Sequence, residues 1–318
     1  MAVFLFPGQG AQYTGMGIDL YEADRDGAMG VRSLFDRASA IYGSDICTLL
    51  ASDAENLKRT DISQLAITLV SLASVKYLSS KGIKSTACAG FSLGEYSALA
   101  ISGVISEDTA IRLVIERGRI MQQEVDSMQS ALGAENEAPG MAAVLGLNSS
   151  QIESVLESLP PSSNGKKLEV YVANYNSPLQ TVISGTHEAL LLAEAALKVE
   201  GARRVIRLKV AGPFHSPLMR KAGEAFSLVL DGLVFNDPII PLYSNVTGAR
   251  IRSGEQARLC AVDHISNPVR WTAEEEAIAS FMGEQNESQL IECGPGKVLT
   301  GLWTDSKLAG NCKPYTEF

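Results

Sequence analysis

The feature that most constrains this chain is the stretch Gly90-Phe91-Ser92-Leu93-Gly94, which reads Gly-x-Ser-x-Gly. A short run of small residues precedes it, and a run rich in helix formers follows it. A buried strand, a sharp turn at the glycines and a helix, in this order, form a nucleophile elbow that presents the serine hydroxyl at the positive end of the helix. The pattern alone also fits an ordinary turn, but its context favours a nucleophilic Ser92. Such a serine needs a base, an oxyanion site and a substrate pocket.

Size, composition and charge place the chain among soluble globular proteins. Its 318 residues suit one large domain or one domain with an insertion, and its 46% hydrophobic and 20% charged residues are ordinary proportions. The formal net charge of −9 argues against a general affinity for nucleic acid or for an anionic membrane. We therefore expect no nucleic-acid partner, no membrane partner and, by default, a monomer.

The cysteines and the apolar segments indicate the compartment. Five cysteines are odd in number, scattered and without CxxC spacing, which argues against a disulfide framework and a zinc site. The first residues read as a strand rather than a signal peptide, and no apolar run is expected to reach membrane-spanning length. We therefore expect a cytoplasmic protein without a metal.

A glycine-flanked Gln9 follows the first predicted strand. A dinucleotide fingerprint beginning at Gly8 would need glycine where Tyr13 stands, and a P-loop would need lysine where Met16 stands. Both nucleotide-binding motifs therefore fail. Gln9 belongs either to a plain tight turn or to a loop that exposes backbone amides at a cleft, and its residues do not separate the two.

A predicted helix at about 106–129 carries an arginine on its apolar stripe. Arg117 shares this stripe with Val114 and Met121, at helical spacing. Because a guanidinium stays charged, a buried one needs a carboxylate, either from the protein or from a ligand. An internal ion pair is the simpler answer, whereas Gly118, expected to leave space beside the guanidinium, favours a ligand.

The composition changes after a loop predicted at 131–139. Downstream periodicity predicts the order β-α-β-β-α-β, which is that of a small ferredoxin-like unit. The strands are expected at 140–147, 168–173, 180–184 and 203–210, and the helices at 149–159 and 187–200. We therefore expect an α/β fold in which a ferredoxin-like subdomain at 138–207 is inserted into a catalytic core formed by 1–137 and 208–318.

Three histidines could serve Ser92 as a base, namely His187, His215 and His264. His215 lies in a loop between two prolines, where the predicted insertion returns to the core. A purely structural histidine is the simpler interpretation of such a residue. An activated serine needs a base, however, and with few candidates His215 becomes the favoured one. His187, at a predicted helix start, is expected to be solvated.

Several motifs together resemble one family, the malonyl-CoA:acyl carrier protein transacylases and the related acyltransferase domains of polyketide synthases. The motifs follow the family's order and span nearly the whole chain, and the set is far more specific than any one of them. The matching segments are FPGQG (6–10), GFSLGEYS (90–97), RG (117–118), ANYNSP (173–178), FHSPLM (214–219), YSNV (243–246), NPVRW (267–271) and GPGKVL (294–299).

The resemblance implies an α/β-hydrolase-like core with a short parallel sheet and roles for four of its residues. Ser92 would take the malonyl group from malonyl-CoA, and His215 would be its base. The backbone amides of Gln9 and Leu93 would bind the oxyanion. The acceptor would be the phosphopantetheine thiol of acyl carrier protein, and no bound cofactor is implied.

The resemblance also assigns the substrate pocket. Arg117 would hold the free carboxylate of malonate, with Met121 and Phe214 as further substrate-binding residues. A backbone carbonyl at the position of His264, where the family usually has glutamine, would orient the histidine base. The chain departs from the family pattern again at Phe91, where histidine is frequent, and at Leu179, where glycine is usual.

Two other functional classes remain open at this stage. A serine esterase or thioesterase of the α/β-hydrolase type shares the elbow and the Ser-before-His order, but would want an acid between the two. A non-catalytic protein of a fatty-acid or polyketide assembly would not need Ser92 at all. The residues do not distinguish fatty-acid from polyketide synthesis.

Overall fold

Two sheets and the helices around them organise the chain. This computed structural model describes residues 1–132, 138–162 and 165–318. The strands are β1 (Ala2–Phe6), β2 (Ser85–Gly90), β3 (Gly140–Leu145), β4 (Val170–Ser177), β5 (Gln180–Gly185), β6 (Arg204–Arg207), β7 (Leu242–Ser244), β8 (Ala249–Ile251), β9 (Gln289–Glu292) and β10 (Asn311–Pro314).

The helices surround both sheets. They are α1 (Ile18–Ala23), α2 (Val31–Tyr42), α3 (Ile46–Leu50), α4 (Thr60–Ser80), α5 (Gly94–Ile101), α6 (Glu107–Leu132), α7 (Ser149–Ser158), α8 (His187–Glu200), α9 (Arg220–Val229), α10 (Gly254–Asp263), α11 (Trp271–Gln285) and α12 (Val298–Ser306). The loop predicted at 131–139 begins within α6, which continues to Leu132, and its central residues 133–137 lie outside the described ones.

The first sheet positions the candidate site. Its strand order is β10-β9-β1-β2-β7-β8, and all neighbours are parallel except β8, which pairs antiparallel with β7 at the edge. All five residues of β1 are buried, as expected for a continuous apolar strand that is covered on both faces. Because parallel strands end at one edge of the sheet, the loops after β1, β2 and β7 come together there.

Helix α4 is buried along most of its length. It is long and apolar enough to cross a membrane, which contradicts the expectation that no run reaches that length, but 78% of its most apolar 18-residue window is buried within the protein. It packs against α6, where a Cβ on Gly118 would lie 2.8 Å from the carbonyl oxygen of Thr60. Burial on all sides identifies α4 as a core helix.

The second sheet has the order β4-β5-β3-β6 and is antiparallel throughout. The element order β3-α7-β4-β5-α8-β6 is the predicted one, although β4 continues to Ser177 beyond the expected end, and β6 is shorter than expected. The extension follows from a contact with a distant segment, since Tyr175 N–H donates to the carbonyl of Val269 at 2.9 Å. This contact also joins the second sheet to the chain that follows α10.

Candidate active site

The turn between β2 and α5 has the geometry of a nucleophile elbow. Ser92 has a φ of 50°, in the left-handed region that a non-glycine residue rarely adopts. Neither Gly90 nor Gly94 has such a φ; instead, an added Cβ at Gly90 would lie 2.0 Å from Gly94 C, and one at Gly94 would lie 2.0 Å from Phe6 O. The glycines are therefore needed for close backbone approach, and Ser92 itself makes the sharp turn.

Ser92 and His215 form a hydrogen-bonded pair. The Ser92 Oγ lies 2.8 Å from His215 Nε2, and His215 Nδ1 lies 2.9 Å from the carbonyl oxygen of His264. A carbonyl only accepts, so Nδ1 carries the proton and Nε2 presents its lone pair to the serine hydroxyl. The main-chain contact implied for position 264 is therefore present although the residue is a histidine. No carboxylate stands behind His215 in these contacts.

Burial and a nearby positive charge keep His215 neutral. Burial first, and then the Arg117 guanidinium, lower the pKa of His215 to about 4, against the opposing effect of its contact with the His264 carbonyl. A neutral imidazole with a free Nε2 lone pair can accept the proton of the Ser92 hydroxyl. His187, in contrast, is half-buried at the start of α8, away from these contacts.

Two backbone amides beside Ser92 are available to a ligand. Within the part of the chain that the structure describes, the amides of Gln9 and Leu93 donate no hydrogen bond. The loop after β1 and the start of α5 meet because Phe91 N–H donates to Phe6 O at 2.9 Å. The Gln9 side chain is held by Ser63, whose Oγ lies 2.9 Å from Gln9 Nε2. The amides of Gln9 and Leu93, the predicted oxyanion donors, therefore have no hydrogen-bond acceptor among the described residues.

Arg117 is fully buried and has no carboxylate within 4.0 Å among the described residues. Its Nη1 donates to Gln64 Oε1 at 2.8 Å, its Cζ lies 5.4 Å from the centroid of the Tyr96 ring, and Nε and Nη2 have no partner. Burial lowers the pKa of Arg117 from its usual value. The internal ion pair is thus not found, which leaves the guanidinium for an anion. The expectation for Gly118 is wrong, because this glycine faces α4 rather than the guanidinium.

A cavity of about 190 Å³ opens onto Ser92 and His215. Met121 and Phe214, the two predicted substrate-binding residues, are in its wall. The remaining lining residues are Gln9, Phe91, Met141, Asn174, Asn176, Gln180, Val182, Leu208, Val210, Val298 and Leu302. Arg117 lies one layer behind this wall, since its partner Gln64 donates from Nε2 to the Sδ of Met121 at 3.4 Å.

Sequence reasoning missed the polar residues that support the site. Asn245 contacts the backbone of Ser92 and the side chain of His264, and Gln64 contacts Arg117. Asn245 lies in the segment Ser244-Asn245-Val246-Thr247-Gly248. The ordinary interpretation of such a segment is a turn, which gives no reason to expect a contact with Ser92. Gln64 carries a clearer signal, because it is a polar residue directly before the apolar run Leu65-Ala66-Ile67.

The arrangement is suited to acyl transfer. It provides a hydroxyl, a neutral base, two free amides and a buried cation around a small cavity, which are the parts needed to attack a carbonyl and stabilise the resulting oxyanion. Within residues 1–132, 138–162 and 165–318, no group of three or more His, Cys, Asp or Glu side chains could hold a metal ion.

Comparisons with known proteins show which proteins this chain is similar to. A family model described as "Acyl transferase domain" matches residues 3–305. The malonyl CoA-acyl carrier protein transacylase of Bacillus subtilis (strain 168) is 37% identical over 300 residues, covering 94% of this chain and 88% of that protein. The Escherichia coli K12 protein of the same name is 38% identical over 301 residues, covering 94% and 90%. A solved malonyl-transacylase, in complex with a type II polyketide synthase acyl-carrier protein, has a TM-score of 0.85 at 35% identity and covers 98% of this chain and 94% of its own.

Proposed function

This chain belongs to the acyl transferase domain family, and we propose that it moves malonyl from malonyl-CoA to acyl carrier protein through a covalent malonyl–Ser92 intermediate. It is an acyltransferase, and the relatives are named for this transfer, one of them for polyketide biosynthesis. We infer that its product serves fatty-acid or polyketide synthesis. The observation that carries the choice of malonyl is the buried Arg117 guanidinium, which has two unpartnered nitrogens and no carboxylate within 4.0 Å among the described residues.

In the first half-reaction, the Ser92 Oγ attacks the thioester carbonyl carbon while its proton passes to His215 Nε2, 2.8 Å away. The amides of Gln9 and Leu93 receive the developing oxyanion. The carbon–sulfur bond then breaks, and the proton on His215 goes to the departing coenzyme A thiolate. Losing one oxyanion donor typically lowers turnover by roughly a hundred- to a thousandfold.

The second half-reaction reverses the first with a different thiol. The phosphopantetheine thiol of acyl carrier protein gives its proton to His215, and its sulfur attacks the carbonyl carbon of malonyl–Ser92. The ester bond breaks and His215 returns the proton to the Ser92 oxygen, which restores the enzyme. A backbone carbonyl behind His215 is sufficient here, because a thioester is already activated and a thiolate leaves readily.

Arg117 connects substrate choice to the strength of the base. A malonyl carboxylate that pairs with the guanidinium cancels part of the positive charge that lowers the pKa of His215. Binding of the correct acyl group would therefore make His215 a better base. Since Gln64 and Met121 separate Arg117 from the cavity, we expect both side chains to shift when the carboxylate binds.

We also propose that the fold consists of a catalytic core and an inserted subdomain. The parallel strands, with the elbow at their carboxyl edge, support an α/β-hydrolase-like core formed by 1–137 and 208–318. The antiparallel order β4-β5-β3-β6, with one helix in each crossover, supports a ferredoxin-like subdomain at 138–207. We also propose that the protein acts as a cytoplasmic monomer without a bound cofactor.

Intact-mass measurement after brief exposure to malonyl-CoA tests the covalent intermediate. One malonyl group is expected on the enzyme, located at Ser92 by peptide mapping, stable until acyl carrier protein is added. The Ser92→Ala variant should acquire none. Rapid release of free malonate instead of a stable acyl-enzyme would favour the esterase or thioesterase alternative. Full acyl transfer by Ser92→Ala would indicate a non-catalytic role for this serine.

Replacing Arg117 tests the choice of acyl group. In Arg117→Ala, kcat/KM for malonyl-CoA is expected to fall roughly a hundredfold, because a charged contact in a buried site is lost. Transfer from acetyl-CoA, which has no free carboxylate, should fall much less, so that the ratio of the two activities changes. An unchanged ratio would refute the role of Arg117 in binding the carboxylate.

A further inference from the structure

Three hydrogen bonds connect Ser92 to His215 by a route that avoids their reacting atoms. Ser92 N–H donates to Asn245 Oδ1 at 2.6 Å, and the His264 ring joins the same oxygen through Nε2 at 3.0 Å. The His264 carbonyl then accepts from His215 Nδ1 at 2.9 Å. Together with the contact between Ser92 Oγ and His215 Nε2, these bonds close a ring through the candidate active site.

Asn245 is held firmly in this ring because each of its polar groups has a hydrogen-bond partner. Its Nδ2 donates to Gly90 O at 2.6 Å and to Glu274 Oε2 at 2.7 Å, and its backbone N–H donates to Glu95 Oε2 at 3.0 Å. Its carbonyl accepts from Arg270 N–H at 2.9 Å. With the Oδ1 bonds included, the fully buried side chain has one orientation in which all partners are satisfied.

The contacts of Asn245 also define the state of His264. Because Asn245 Oδ1 is an acceptor, His264 Nε2 must be the donor, and its Nδ1 is then an unprotonated nitrogen. That Nδ1 is buried and has no partner among the described residues. Burial lowers the pKa of His264 well below its usual value, which keeps the ring neutral. His264 is thus neutral, and its imidazole donates one hydrogen bond.

The hydrogen-bonded ring contacts two residues whose backbone conformation needs support. Ser92 and His215 have φ values of 50° and 57°, and both are non-glycine residues in the left-handed region. Such a conformation is unfavourable for a non-glycine residue and persists only where the surroundings hold it. Asn245 holds the backbone of Ser92 directly, and His264 holds the imidazole of His215 through its carbonyl.

We propose that Asn245 and His264 are positioning residues that fix the Ser92 hydroxyl against the His215 imidazole by joining the nucleophile elbow to the histidine loop. The inference rests on the proposed function, because it concerns the rate at which malonyl–Ser92 forms. Neither residue lines the cavity beside Ser92, so their replacement should lower kcat and leave KM for malonyl-CoA nearly unchanged. Small displacements of reacting groups can cost about a hundredfold in rate.

The test compares two substitutions of His264. His264→Gln places an amide N–H at nearly the reach of the imidazole Nε2, whereas His264→Leu fills the space without a donor. We expect His264→Gln to keep kcat within about threefold of the original, and His264→Leu to lower it at least tenfold with the same KM. Cys260→Ala, which truncates a buried side chain one turn earlier in α10, is the control for lost packing. It should retain full kcat even though its melting temperature falls about as much as that of His264→Leu.

Asn245→Asp extends the test to the centre of the ring. It keeps the shape of the side chain but replaces the donor that faces Gly90 and Glu274 with an acceptor, so its kcat should fall further than that of His264→Leu. If this variant does not fold, the His264 pair decides. A His264→Leu enzyme with unchanged kcat, or one in which only KM changes, would overturn the proposal. A folded His264→Gln enzyme as slow as His264→Leu would overturn it too. Absence of malonyl–Ser92 in the unchanged enzyme would instead refute the proposed function.

Discussion

At the scale of single residues, the sequence predicts the Ser92–His215 pair that the structure brings together, but not the residues that contact it. Ser92 lies in a local motif, and His215 is favoured because the chain has only three histidines. Asn245 meets Ser92 across 153 positions, and Gln64 meets Arg117 across 53, so neither contact leaves a local pattern. The positive φ of His215 was also unpredicted, because it depends on bonds to the distant residues His264 and Ile265.

The acidic limb of the pH profile should report the environment of His215. Since burial and the Arg117 charge lower its pKa to about 4, kcat/KM for malonyl-CoA should be nearly flat from about pH 5.5 to neutrality. In Arg117→Ala the second of these causes is removed, so the limb should move upward toward the unperturbed value of about 6.5. The measurement is the initial rate of malonyl transfer from pH 4.5 to 8.

Arg119→Ala provides the matched control for this shift. Arg119 is on the same helix, exposed and paired with Glu116, and it is not among the groups that affect His215. Its replacement should leave the acidic limb unchanged. A limb near pH 6.5 in the unchanged enzyme would contradict the proposed environment of His215.

At the scale of elements, local sequence signals were sufficient to predict the bounds of a helix that is capped at both ends. Helix α8 has the predicted bounds, with Thr186 capping its start and Gly201 ending it in the left-handed conformation. The order of the first sheet was not predictable in the same way, because β1 pairs with both β2 and β9, strands far apart in sequence. Strand β4 was predicted too short for a related reason, its contact with Val269.

Two helical glycines should respond oppositely to an added methyl group. In Gly118→Ala, the Cβ would lie 2.8 Å from Thr60 O and 2.9 Å from Asp61 Cα, so α6 must move away from α4. We expect a loss of about 1–3 kcal/mol in the free energy of unfolding, together with weaker malonyl selectivity, because this shift separates Arg117 from Gln64. Gly301, inside α12, faces open space, and Gly301→Ala should stabilise by up to about 1 kcal/mol.

Urea unfolding and the malonyl-to-acetyl activity ratio measure both effects of the glycine substitutions. A Gly118→Ala protein as stable as the original would mean that α4 and α6 can separate without cost. If its stability fell but selectivity stayed the same, the packing role would remain and the link to Arg117 would be wrong.

At the scale of the whole molecule, buried carboxyl groups make stability depend on pH in a direction that the acidic composition does not reveal. Burial raises the pKa of Glu95 to about 7 and that of Glu275 to about 8, and it raises the pKa of Glu274 well above its usual value. The hydrogen-bond partners of two of them are neutral, namely Asn245 for Glu274 and the Trp271 indole for Glu275. For Glu95, the hydrogen bond from Asn245 N–H and the Arg117 charge oppose the rise in pKa without cancelling it. The sequence could not predict this, since glutamates in a helix are usually exposed.

The sign of the pH dependence follows from these raised values. An unfolded glutamate loses its proton near pH 4.3, whereas the folded protein keeps these protons to about pH 7 or 8, so the folded state binds more protons in between. The free energy of unfolding should therefore fall from pH 5.5 to pH 8, by up to about 1.4 kcal/mol per pH unit for each such group. Glu275→Gln keeps an oxygen acceptor for Trp271 and removes one titrating group, so the fall should become smaller. Glu284→Gln, at an exposed position on the same helix and not among the groups that affect these carboxyls, should leave it unchanged. Urea unfolding at the two pH values measures each slope. A stability that rises toward pH 8 would mean that these carboxyl groups are already ionised in the folded protein, and the hydrogen bonds around Asn245 would then have to include a charged Glu274.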